Sequence, residues 1–185
     1  MAGPALGEAE AVAAALSGRQ AGFSALMDAH REAVFRMVRA HLGQEADALD
    51  VTQDSFVAAF LALDRYDPSR PFRAWLLRIA LNKCRDWARR RAVRRFFTLA
   101  RPLEDALVVA DDAHDPEQAL ASAHEVRCIH AQIAGLPDAL KEPLLLCALE
   151  GLSQEEAATI LGISRKAVET RLYRARRKLS HLADG

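Results

Sequence analysis

Two short stretches of the chain concentrate cationic side chains at spacings that suit a phosphate backbone. Residues 82–95, NKCRDWARRRAVRR, hold seven basic side chains (Lys83, Arg85, Arg89, Arg90, Arg91, Arg94, Arg95) against Asp86, a net of +6. Residues 165–178, RKAVETRLYRARRK, hold seven more against Glu169, again +6. Each Lys or Arg laid beside a phosphate releases condensed counterions, so two such patches point to a polyanion as partner. A basic run is by itself more often a solvated helix face, so the residues around each patch have to decide.

Around the second patch they favour reading of duplex DNA. Val168, Leu172, Ala175 and Leu179 recur at steps of four, three and four and form a core-facing stripe. The opposite face at the start of that helix then presents Arg165, Lys166, Glu169, Thr170 and Tyr173, where Arg or Lys addresses guanine and Glu accepts from cytosine. Arg171, Arg174, Arg176, Arg177 and Lys178 suit phosphates, which hold register without carrying sequence information. The preceding residues build the support. Ser153 and Glu156 are spaced as a capping box, Gly162 suits a left-handed turn, and Ser164 suits the cap of the next helix. Ala157 and Ala158 let the two helices cross closely, completing a helix-turn-helix whose second helix enters the major groove.

The first patch continues a helix with two faces. Phe72, Leu76, Ile79, Lys83/Cys84 and Trp87 make an apolar stripe with Trp75 beside it, whereas Arg78, Asn82, Arg85 and Arg89 fall on a polar one. Amide, guanidinium and aromatic groups beside a turn flanked by Pro68 and Pro71 also suit unstacked bases. Further upstream, Asp47, Asp50 and Asp54 form an acidic strip with Gln53 beside it, which would repel DNA. It reads either as a solvated face or as a dock for a basic protein partner.

These side chains need helices to position them. Periodicity, caps and breakers predict helices over 19–43, 45–63, about 71–95, 117–134, 138–150, 153–161 and 164–182, with no strand or hairpin signal. The fold class is therefore all-α, with two small helical domains over 19–97 and 117–183. Residues 98–116 form an acidic linker between them, and residues 1–18 an N-terminal tail without an assigned role. The zero formal net charge conceals this order, because residues 96–126 carry seven acids against Arg101 and separate two patches of +6.

Absent motifs narrow the function. No Ser-His-Asp arrangement, paired-carboxylate site or phosphate-binding glycine loop is present, so neither an enzyme nor a cofactor is expected. Cys84, Cys128 and Cys147 form no CxxC pair and read as core thiols of a reducing compartment. His124, Cys128 and His130 resemble a metal set, but only the first pair shares a helix face, and no metal site is expected. No apolar stretch approaches the ~20 residues of a membrane span, and Glu8 and Glu10 stand where a secretory signal carries cations. A soluble protein of the cytoplasm, without membrane insertion, is expected.

Taken in order, the motifs carry a resemblance. The run Asp47-Ala48-Leu49-Asp50-Val51-Thr52-Gln53-Asp54-Ser55-Phe56, then Tyr66-Asp67-Pro68 and Arg70-Pro71-Phe72-Arg73-Ala74-Trp75 through Asn82, is similar to region 2 of bacterial sigma factors of the extracytoplasmic-function class. Leu136-Pro137, then Gly151-Leu152-Ser153-Gln154-Glu155-Glu156-Ala157-Ala158 and Leu161-Gly162-Ile163-Ser164 to Arg176, resembles region 4 of that class. Thr52 departs from the usual aliphatic residue there, and Asp54 from the usual Glu. The resemblance implies a promoter-recognition subunit of RNA polymerase. In it Asp47, Asp50, Gln53 and Asp54 bind the β′ subunit of the core enzyme. Asp67, Arg70, Phe72, Arg78, Asn82, Lys83, Arg85 and Arg89 serve the minus-ten element, and Ser164, Arg165, Lys166, Glu169, Thr170, Arg171, Tyr173 and Arg174 read the minus-thirty-five element. It further implies contacts with the β subunit, a role in a stress or envelope response, an anti-sigma factor as partner, and an acidic linker that threads basic channels of polymerase. A stand-alone helix-turn-helix regulator is the alternative reading.

Overall fold

The structure, a computed structural model, describes residues 6–99 and 129–183. The expected linker from residue 100 onward, His124, Cys128 and most of the helix expected over 117–134 lie outside the described residues. Every regular element among the described residues is helical.

The N-terminal lobe is built from α1 (Glu8–Leu16), α2 (Gln20–Leu42), α3 (Glu45–Leu61), a 3-10 turn at Leu63–Arg65, and α4 (Phe72–Leu99). Helix α2 ends where Gly43 takes a φ of 79° and donates its N–H to the Arg39 carbonyl at 2.8 Å, a left-handed cap that an L side chain strains to adopt. Leu26, Val34, Met37 and Val38 of α2 meet Val51 and Phe56 of α3 and Phe72, Leu76, Leu77 and Leu81 of α4 in the core. The seam of α4 differs from the expected stripe. Leu77, Ala80, Leu81 and Cys84 are fully buried while Ile79, Lys83 and Trp87 are half-buried, because α4 is covered from more than one side.

The expected N-terminal tail is also corrected. Residues 8–16 form α1, which buries Ala11, Val12, Ala14 and Ala15 against α2. The crossing is close because Gly22 faces it: a Cβ there would stand 2.4 Å from the Ala15 nitrogen and 2.6 Å from the Ala11 carbonyl oxygen. Glu8 and Glu10 lie in the first turn, where the helix dipole favours carboxylates, and Glu8 reaches the His30 ring at 3.3 Å.

The C-terminal lobe comprises helical residues 129–134, α5 (Asp138–Leu144), a π-helical turn (Leu145–Leu149), α6 (Gln154–Leu161) and α7 (Arg165–Ala183). In the wide turn the Glu150 N–H donates to the Leu145 carbonyl at 3.0 Å, five residues back. Leu145, Leu146, Ala157, Val168, Leu172 and Ala175 form this lobe's interior. The lobes pack against each other, α6 beside α4 and the wide turn beside α2.

Candidate nucleic-acid and polymerase interfaces

The helix-turn-helix forms as its local sequence dictates. Ser153 Oγ accepts from the Glu156 N–H at 3.2 Å, and the Glu156 carboxylate accepts from the Ser153 N–H at 2.8 Å and its hydroxyl at 2.7 Å. Those bonds from Ser153 hold the Glu156 carboxyl below its ordinary range. Gly162 then turns the chain with φ 66°, and Ser164 Oγ accepts from the Ala167 N–H at 3.2 Å to open α7. Val168, Leu172 and Ala175 are buried as their spacing requires, leaving Ser164, Arg165, Lys166, Glu169, Tyr173 and Arg174 exposed and Thr170 and Arg171 half-buried. Lys166 pairs with Glu169 at 3.0 Å, the Thr170 hydroxyl donates to the Lys166 carbonyl, and Arg177 lies 5.9 Å above the Tyr173 ring. No carboxylate bonds Arg165, Arg171 or Arg174 among the described residues.

The first basic patch is less open. Arg78, Asn82 and Arg89 are exposed on α4 and Lys83 is half-buried, but Arg89 pairs with Asp86. Arg85 gives its Nε and Nη2 to the two carboxylate oxygens of Glu142 on α5, at 2.6 and 2.5 Å. Its Nη1 donates to the Asn82 side-chain oxygen at 3.0 Å. In the turn that precedes α4, Asp67 and Arg70 are exposed and 3.6 Å apart. Bonds from Ser69 hold the Asp67 carboxyl below its usual range, and the Tyr66 hydroxyl donates to the Arg70 carbonyl at 2.6 Å. Phe72 corrects the sequence expectation. It is 0% exposed and packs among His30, Tyr66 and Trp75, so it anchors the turn and has no face for a base.

On α3, Asp50, Gln53 and Asp54 are exposed, whereas Asp47 is half-buried with Arg91 of α4 at 3.8 Å. Beside the strip lies an apolar hollow of about 540 Å³ between Phe23 and Met27 of α2 and Phe56, Val57 and Phe60 of α3. Thr52, the departure noted above, is buried, and its hydroxyl oxygen has no hydrogen-bond partner among the described residues.

Several residues that sequence reasoning missed lie where the lobes meet. Glu150 of the C-terminal lobe, 4% exposed, accepts from Arg36 at 3.2 and 3.3 Å and from Arg73 at 2.5 Å. Lys141 Nζ donates to the buried His41 carbonyl at 3.1 Å. His41, Asp138 and Glu142 bring their donor atoms within 4.8 Å of one another, a set with metal-ligand chemistry. Arg85 on Glu142 and Lys141 on Asp138 already supply the positive charge a cation would bring. The thiols are quiet: burial pushes Cys84 up to about 12 and raises Cys147 as well.

The geometry defines a two-lobed helical DNA-binding protein, with a helix-turn-helix in one lobe and a basic helix beside an acidic one in the other. Residues 26–94 match the sigma-70 region 2 family and residues 126–179 the sigma-70 region 4 family. The chain is 46% identical over 175 residues to the RNA polymerase sigma factor CnrH of Cupriavidus metallidurans, covering 93% of this chain and 92% of that one. It is 33% identical to the extracytoplasmic-function sigma factor SigE of Mycolicibacterium smegmatis over 83% of this chain and 58% of that one. The solved structure of CnrH in complex with the cytosolic domain of CnrY superposes with a TM-score of 0.69 at 39% identity, over 94% of this chain and 95% of that one. The chain belongs to the sigma-70 family of RNA polymerase sigma factors, in the extracytoplasmic-function class. As a sigma factor it binds core RNA polymerase and directs it to promoter DNA, and a stand-alone regulator is set aside. No described helix is long and apolar enough to cross a membrane.

Proposed function

We propose that the two lobes divide promoter recognition, with domains over 19–97 and 117–183 and the segment 98–116 between them. In the C-terminal lobe, Arg165, Lys166 and Glu169 address base edges of the minus-thirty-five element in the major groove. Ser164, Thr170, Arg171, Tyr173 and Arg174 hold the backbone around them. The carrying observation is the open start of α7, with its base-reading side chains exposed and its apolar stripe buried.

In the N-terminal lobe, Asp67 and Arg70 of the turn and Arg78, Asn82, Lys83, Arg85 and Arg89 of α4 take the melted minus-ten strand. A base that leaves the duplex stack loses a few kcal/mol, which hydrogen bonds to its edge and planar contacts offset. Sequence-specific capture of the unpaired strand then stabilises the bubble. The chain works by binding and contributes no covalent step of its own. Asp50, Gln53 and Asp54, with Asp47 at their margin, dock on a basic helical surface of the β′ subunit, and the acidic segment threads polymerase channels toward β. The protein works in the cytoplasm beside polymerase in a stress or envelope response. Like CnrH, which was solved with the cytosolic domain of CnrY, it is held by a protein partner, an anti-sigma factor.

Run-off transcription with core enzyme on genomic fragments, followed by start-site mapping, tests the whole reading. Start sites sharing two spaced elements are expected. Asn82→Ala should lose open complexes while keeping core binding, and unchanged open-complex formation would overturn the assignment of α4.

A further inference from the structure

The two carboxylates in the first turn of α1 are used differently. Glu10 turns back to accept from the Gly7 N–H at 3.1 Å and closes the start of its own helix. Glu8 reaches away from it: Oε1 accepts from the Phe72 N–H at 3.4 Å, and Oε2 stands 3.3 Å from His30 Nε2 of α2. That N–H belongs to the first residue of α4, where backbone donors have no partner inside the helix. Pro71 holds the cap position, since its carbonyl accepts from the Ala74 and Trp75 N–H groups at 3.1 and 3.3 Å, yet its side chain offers no acceptor. Glu8 therefore supplies, from 64 residues away, the cap that the local sequence lacks, and sets a carboxylate at the positive end of the α4 dipole.

The turn at Asp67–Arg70 ends at that junction. The Tyr66 hydroxyl closes it on the Arg70 carbonyl at 2.6 Å, and the Phe72 ring packs against His30, Tyr66 and Trp75 at centroid distances of 5.3, 5.3 and 5.4 Å. Between α1 and the turn lies a hollow of about 410 Å³, lined by Val12 and Leu16 on one side and Tyr66, Pro68, Arg70 and Pro71 on the other. The turn is thus fixed at its ends more than by side chains packed along it. Helix α1 is itself held firmly, by its close crossing of α2 at Gly22, and it precedes the region 2 match that begins at residue 26.

We propose that Glu8 is a positioning residue for the minus-ten turn: α1, seated at Gly22, sets the start of α4 and with it the angle at which Asp67 and Arg70 meet the unpaired strand. The inference rests on the reading of that turn as part of the minus-ten face. A carboxylate does not attract DNA, so Glu8 acts through the Phe72 backbone, and base discrimination depends on it more than overall affinity does. Its acceptor oxygen is what the role needs, and its charge is secondary.

The test uses holoenzyme reconstituted from core enzyme and the full chain. Its templates are the strongest promoter found by start-site mapping and copies in which single base pairs of the minus-ten element are replaced. Permanganate reactivity of unpaired thymines reads open complexes, and helicity, melting and core affinity are measured for each variant. Glu8→Ala should lower open complexes on the unaltered promoter about five-fold, the scale of one lost helix cap, with core affinity unchanged. At the positions the turn reads, the penalty for a replaced base pair should shrink toward none. Glu8→Gln keeps an oxygen for the Phe72 N–H and should retain both activity and discrimination. An equal loss on every promoter would make Glu8 merely structural and overturn the proposal. Full discrimination in Glu8→Ala, or a Glu8→Gln chain that behaves like Glu8→Ala, would overturn it too. Failure of the turn reading is seen separately, because Asp67→Ala with Arg70→Ala would then leave discrimination intact whatever Glu8→Ala does.

Discussion

Helices α4 and α7 carry basic stretches of the same net charge, +6 each, yet the protein presents them in opposite ways. On α7 the single acid pairs with Lys166 and the remaining cations near the turn face outward. On α4, Arg85 is paired by Glu142 of α5 and Arg91 by Asp47 of α3, while Arg89 pairs within the helix with Asp86, and Trp87 lies under the Arg91 guanidinium at 4.9 Å. Equal charge therefore does not mean equal availability. At the start of α7, Arg165, Arg171 and Arg174 carry no carboxylate partner among the described residues, whereas Arg85, Arg89 and Arg91 of α4 each have one.

The strongest way to break this contrast is to reverse charges on each helix in turn. Arg171→Glu with Arg174→Glu should weaken duplex binding by the isolated chain about a hundred-fold, near ten-fold per reversed phosphate contact, in anisotropy at fixed salt. Arg85→Glu with Arg89→Glu should leave that binding within about two-fold but abolish run-off transcription with core enzyme. Equal losses of duplex binding from the two pairs would erase the distinction.

A second pair of variants compares how the lobes are built. Gly22→Val should cost about 2–3 kcal/mol in chemical denaturation, since its side chain meets the α1 backbone. Gly162→Ala should cost only about 1 kcal/mol, because open space surrounds that position and only its positive φ is strained.

Acid should act on the N-terminal lobe through His30. Burial lowers the pKa of His30 in the N-terminal lobe, with Glu8 opposing the shift. Below about 6.5 the unfolded chain then binds a proton that the folded chain refuses, so stability falls as pH drops through that value, by up to about 1.4 kcal/mol per pH unit. Denaturant melts at pH 7 and pH 5.5 should show the loss, and His30→Gln should flatten it. The smallest effect is a gain. Thr52→Val should stabilise the chain by about 1 kcal/mol, since it removes a buried hydroxyl that finds no partner.

What could be read from the sequence was whatever is decided locally. The cap at Ser153, the glycine turn at Gly162 and the buried steps of Val168, Leu172 and Ala175 depend on residues within a few positions of one another, and all stand as read. The lobe contact could not be read that way. Lys141 and Glu142 look like ordinary solvated helix residues, and only their distance partners, His41 and Arg85, account for exposures of 5% and 3%. Helix α1 was missed because its signal is smallness, alanines meeting Gly22, instead of bulky residues at a helical period. Phe72 was misassigned because an aromatic beside a proline turn serves stacking on a base and packing on Tyr66 equally well, and neighbours remote in sequence decide between them.

The wide turn at Leu145–Leu149 has a geometric role in this arrangement. In an uninterrupted α-helix, residues eight apart such as Glu142 and Glu150 point about 80° away from each other, at 3.6 residues per turn. A π-helical turn advances the chain with less rotation per residue, which brings both carboxylates to the same side. It acts as a phase adjuster, a local gear that sets two distant teeth in line. Deleting one residue within 145–149 would restore regular winding and swing one carboxylate off the seam, so the fit between the lobes is tuned by chain length as well as by side-chain chemistry.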